Sequence, residues 1–129
     1  MKLYRLMKAD ADGKPLLGKG SMMLGVRPND PTASNQRADV FATSGGDMVQ
    51  PNEGGLSCYS DPEQMRLQSK KLLLWAIDAA DLPNELAVVP ADEPHYHIEP
   101  QTAMTLDELQ QMLAGTRDRW QRVEPEDKP

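Results

Sequence analysis

His95-Tyr96-His97-Ile98-Glu99-Pro100, with Met104 and a helical pattern close behind, decides how this chain is read. On a β-strand side chains alternate between faces. His95, His97 and Glu99 therefore share one face, and Tyr96 and Ile98 share the other. Three groups able to bind or titrate project from one side of a single strand. A transition metal is the first explanation to weigh, because His-x-His on a strand is a workable ligand pair. Strand geometry argues against it: ligands two residues apart diverge by about 6.5–7 Å per step. The chain has no third His, so the reading assigns no metal. A plainer alternative leaves His97 and Glu99 as solvent-facing polar groups on an edge strand.

C-terminal to this run, the spacing predicts an amphipathic helix. Thr105 and Glu108 form a capping box. Leu106, Leu109, Leu113, Thr116, Trp120 and Val123 recur at intervals of 3, 4, 3, 4 and 3, one helical face. Burying its three leucines, the Trp and the Val contributes on the order of 7–12 kcal/mol before entropy. N-terminal to the run, the expected strands are Lys2–Lys8, Ser21–Val26, a brief Val40-Phe41, Leu56–Tyr59, Leu72–Ile77 and Leu86–Val89. Asp61-Pro62-Glu63 is a helix start, with Asp61 as N-cap and Pro62 at the first helical position, for a helix reaching about Ser69. Residues 29–38 read as loop. Residues 1–123 form one domain on this reading, and the charged 124–129 segment is a disordered tail.

The chain has 129 residues and a formal net charge of −6. The excess is uneven: residues 1–50 hold seven Lys and Arg against five Asp and Glu, and residues 51–129 hold seven against fifteen. A general nucleic-acid coat needs the opposite sign, so none is expected. The basic residues of the first half can serve a small anionic ligand. One cysteine permits no intrachain disulfide, so folding does not depend on an oxidising compartment. No apolar signal core or span of roughly 20 apolar residues is seen, so no membrane partner is expected. A cytoplasmic location follows, with export by a signal-independent machine left open. Eleven prolines and nine glycines predict short elements and many turns. Eight methionines beside one Phe predict a small core.

Gly54-Gly55-Leu56-Ser57-Cys58-Tyr59 is a second stretch of interest. A double Gly permits close backbone approach. Ser57 and Tyr59 share one face of the strand that follows, and Cys58 takes the other. No Gly-x-Ser-x-Gly elbow is present. Cys58, among apolar and aromatic neighbours, reads as a buried structural thiol rather than a nucleophile paired with His95. Tyr4-Arg5 opens the chain; an Arg in an apolar strand either reaches solvent or grips an anion in a cleft. Arg27, before Pro28, offers a second fork. Two arginines, a Ser, a Tyr and a His from separate strands suit a dinucleotide's diphosphate and nicotinamide. A Rossmann site is not supported, for want of Gly-x-Gly-x-x-Gly.

In order and motif the chain resembles the ADP-ribosyltransferase-like toxins of bacterial type VI secretion and their single-domain relatives. The resemblance lies in Leu3-Tyr4-Arg5, Leu24-Gly25-Val26-Arg27-Pro28, the Gly-Gly-x-Ser strand at 54–57, the His-Tyr-x-Ile-x-Pro segment at 95–100 with Met104, and the helix ending near Arg117-Asp118-Arg119-Trp120. It implies an α+β fold, small antiparallel sheets around an NAD-sized cleft, and a toxin or effector paired with an immunity protein. Its chemistry is cleavage of the nicotinamide–ribose bond of NAD, by transfer to an unidentified target macromolecule or by hydrolysis. Ser57 and His95 match functional positions. Arg5 matches an arginine expected to hold a cofactor phosphate. Glu99 is the candidate carboxylate for the ribose, and Tyr4, Arg27, Ser57 and Tyr59 join Arg5 as cofactor-binding residues. A non-catalytic binding module of the same fold is the alternative.

Overall fold

The computed structural model describes residues 1–30, 32, 38–63 and 72–123. Its strands are β1 (Lys2–Met7), β2 (Met48–Val49), β3 (Leu56–Tyr59), β4 (Leu73–Asp78), β5 (Leu86–Asp92), β6 (His95–Pro100), β7 (Met104–Thr105) and β8 (Gln121–Arg122). The α-helix α1 (Leu106–Ala114) follows β7, and short 3-10 turns occupy Ala79–Asp81 and Arg117–Arg119. Six strands form an antiparallel sheet in the order β5-β6-β3-β1-β4-β8, and β2 and β7 form a separate antiparallel pair. The architecture is a small α+β domain. The His-Tyr-His strand is therefore interior, with β5 outside it, which corrects the edge-strand alternative.

The two faces of the sheet are chemically different. One carries Leu3, Met7, Leu56, Cys58, Trp75, Ile77, Tyr96 and Ile98 into a core with Leu106, Leu109 and Leu113 of α1. Period-2 alternation dictates that sorting, and the leucine stripe of α1 supplies the covering layer. The capping box is present: Glu108 N–H donates to Thr105 Oγ1 at 3.1 Å, and Thr105 N–H donates to Glu108 Oε1 at 2.9 Å. The other face carries Tyr4, Leu6 and Leu74 in a small cluster with Tyr59 and Val123, and continues into Ser57, His95 and His97.

Three sequence expectations are corrected. The helix stops at Ala114 rather than running to Val123. Thr116 Oγ–H donates back to Leu113 O at 2.6 Å, and Trp120 Nε1–H donates to Thr116 Oγ1 at 3.0 Å. Thr116 and Trp120 stay buried as their spacing implies, but flanking the Arg117–Arg119 turn, and Val123 crosses to the Leu6–Leu74 cluster. Ser21–Val26 is not a strand. Its backbone is satisfied singly: Met22 O accepts from Lys8 N–H at 2.8 Å, Leu24 N–H donates to Leu16 O at 2.8 Å, and Gln110 bonds both backbone groups of Val26. Val40 makes only an isolated bridge to Gly54. The helix expected from Asp61 begins with Glu63 N–H donating to Asp61 Oδ1 at 3.0 Å, and beyond residue 63 it lies outside the described residues, as does the 124–129 tail.

Candidate active site

Antiparallel register brings the chosen residues together. Ser57 faces His97 across the β3–β6 ladder, and Tyr59 faces His95. Ser57 and His95 are thus diagonal neighbours, within reach of side chains of this length. Ser57 Oγ and His95 Nε2 are hydrogen-bonded, the hydroxyl donating when Nε2 is unprotonated. Tyr59 stacks on a face of the imidazole, with ring centroids 4.9 Å apart and planes 17° from parallel. His97 meets His95 edge-on at 4.9 Å. Burial, reinforced by the neighbouring charge site of His97 and opposed by Asp92, holds the His95 imidazole below its ordinary pKa. His95 is therefore suited to accept a proton from the Ser57 hydroxyl.

These side chains line a concavity of about 560 Å³, together with Arg5, Leu6, Ser21, Arg27 and Asp39. Arg5 reaches it through a parting of the sheet. The β1–β3 register is a single pair, Tyr4 with Tyr59, whereas β1 and β4 pair along six residues. Where β1 and β3 separate, the Arg5 guanidinium donates to Ser57 O at 2.9 Å, Ser21 O at 3.0 Å and Met23 O at 2.8 Å. A cation has replaced strand pairing at that point. It is 7 % exposed, and its Nε is buried with no partner among the described residues. Desolvation lowers the Arg5 pKa, countered by the polarity of Cys58 and the charge of Asp39.

Arg27 is held by Asp39, with Nε–H donating to Oδ2 at 3.1 Å and an Nη2 proton to Oδ1 at 3.0 Å. Glu99 shares the His95–His97 face but does not line the concavity. It is 2 % exposed, accepts from Asn52 N–H at 2.6 Å, and lies 3.5 Å from His97 Nδ1. Tyr4 also lies outside the concavity, packed with Leu6 and Leu74. Cys58 is buried on the core face, opposite to His95, and burial pushes its thiol up to about 12. Among the described residues, no three His, Cys, Asp or Glu side chains converge as a metal site requires.

Sequence reasoning missed Ser21, Asp39 and a lining role for His97. His97 was legible as the i+2 partner of His95. Nothing in the sequence marks Asp39 or Ser21, which sit in irregular segments with no periodicity.

The domain is α+β, built on an antiparallel sheet that parts between β1 and β3, with Ser57 and His95 on neighbouring strands beside the parting. The family model described as Tse2 ADP-ribosyltransferase toxin matches residues 3–120, and the chain belongs to that family. A search of curated proteins finds no match.

Proposed function

We propose that the concavity binds NAD and that the domain acts as a toxin by breaking the nicotinamide–ribose bond, transferring the ADP-ribosyl group or releasing it to water. The observation that carries this reading is the Ser57–His95 hydrogen bond inside a polar hollow of ligand size, in a chain of this family. NAD supplies the group transferred; the protein's task is to hold it and to manage protons. Ser57, poised on neutral His95, contacts the reacting end, and His95 takes or returns a proton there. Tyr59 keeps the imidazole plane fixed from behind. Glu99, one residue pair removed, orients His97 and supplies negative charge at short range rather than touching the ligand.

The fit to a dinucleotide is uneven. Arg5 offers a buried Nε–H with no partner among the described residues, which suits an anion or carbonyl oxygen. Arg27 already holds Asp39. That commitment favours the second reading, a non-catalytic module of the same fold. Incubating the purified protein with NAD and measuring free nicotinamide separates the two. Release that is lost in Ser57→Ala and His95→Ala, with the thermal transition retained, supports the enzyme; no release and no NAD binding by calorimetry supports the module. As a toxin the chain pairs with an antidote protein in the cell that makes it.

A further inference from the structure

Arg27 and Asp39 form a compact anion trap that is already filled. Asp39 Oδ2 accepts from both the Arg27 backbone N–H, at 2.7 Å, and Arg27 Nε–H; Oδ1 accepts from Arg27 Nη2. Three donors of one residue thus converge on one carboxylate, the arrangement a phosphate oxygen pair would use. The carboxylate is presented by a braced backbone. Asp39 N–H donates to Arg27 O at 2.9 Å, and Val40 bridges Gly54, whose φ is +102°. A Cβ on Gly54 would stand 2.1 Å from Asp39 O, so only glycine allows this approach. Arg27 and Asp39 line the same concavity as Arg5, Ser57 and His95 and are 27 % and 11 % exposed, so a ligand entering there meets them.

We infer that Asp39 is an internal competitor for the ligand's diphosphate: it occupies the Arg27 donors until an incoming diphosphate displaces it, and so sets how weakly the site binds. The inference rests on the reading of the concavity as a dinucleotide site. Within that site it assigns to Asp39 a role opposite to a binding residue. A carboxylate that must give up its hydrogen bonds from three Arg27 donors and then face the ligand's negative charge subtracts from affinity.

The test titrates the full chain with inorganic pyrophosphate, and separately with NAD, by calorimetry, in wild type, Asp39→Asn, Arg27→Gln and the double variant. Asp39→Asn is expected to bind pyrophosphate about tenfold tighter, a 1.4 kcal/mol change. The gain is expected to vanish when Arg27 is also replaced. A folded Asp39→Asn protein that binds no tighter, or a gain that persists without Arg27, overturns the inference. Should Asp39→Asn not fold, the wild-type Arg27 Nε–H resonance decides: it moves on pyrophosphate addition if Asp39 is displaced, and stays in place at the highest soluble concentration if it is not. Tighter pyrophosphate binding without any NAD binding would keep the competitor and remove the dinucleotide reading.

Discussion

Replacing Arg5 with Met tests whether a cation holds the sheet open at the site. Met keeps most of the side-chain volume and removes every donor. Three carbonyls, of Ser57, Ser21 and Met23, then lose their side-chain partner. A buried acceptor left unpaired costs about 1–3 kcal/mol. Opposing this, burial of the guanidinium carries a desolvation cost that the variant recovers, and water entering from the concavity can satisfy some of the carbonyls. With roughly half of the gross loss offset in this way, a net destabilisation of about 2–4 kcal/mol is expected. At about 2.1 cal/mol/K of unfolding entropy per residue, 129 residues give about 0.27 kcal/mol/K. The melting temperature should therefore fall by about 7–15 °C. Differential scanning calorimetry measures it, with Arg5→Lys as the control that keeps the charge but cannot span three carbonyls. Arg5→Lys should fall between wild type and Arg5→Met. An Arg5→Met protein that melts with wild type would refute the view that these three bonds stand in for strand pairing.

Gly55→Ala should destabilise the domain by about 1–3 kcal/mol, because the added Cβ would lie 2.2 Å from Ile98 O in the ladder that aligns Ser57 with His95; denaturant unfolding checks this, and an unchanged midpoint defeats it. The lowered His95 pKa means that the unfolded chain binds more protons than the native one as pH falls below about 6.5. This contribution to stability is thus complete above that pH and is lost on acidification through the window down to the native pKa. An NMR titration of the imidazole should find its midpoint below the ordinary value, and His97→Gln should move it upward by removing the neighbouring charge; an upward-shifted midpoint in wild type would contradict the geometry.

Part of the sheet was legible because β3 and β6 alternate cleanly about the core, whereas β1 and β4 also carry Leu6 and Leu74 to the other face. Leu3 and Met7, Leu56 and Cys58, and Tyr96 and Ile98 sort to the core as their alternation requires. The same rule puts Ser57 with Tyr59, and His95 with His97, on the face away from the core, whatever the strand pairing. The helix start was equally legible, since a capping box acts through neighbours three residues apart. Its end was not: the 3, 4 spacing continues past Ala114, and only the bonds of Thr116 to Leu113 O and of Trp120 to Thr116 reveal that burial continues by other means. The two-residue strands β2, β7 and β8 carry too few positions for any period to register.

The sequence by itself determined which side chains could share a face, where α1 begins, and that Cys58 belongs inside. Those properties depend on local backbone geometry, which every short segment carries with it. Only the tertiary structure decided that β6 is interior, that Ser57 and His95 lie diagonally across one ladder, and that Glu99 is reached through His97. It also decided that Arg5 fills a parting between β1 and β3 and that Arg27 is engaged by Asp39. Strand order, register and ion pairing arise from contacts between residues far apart in the chain, and local pattern carries no record of them.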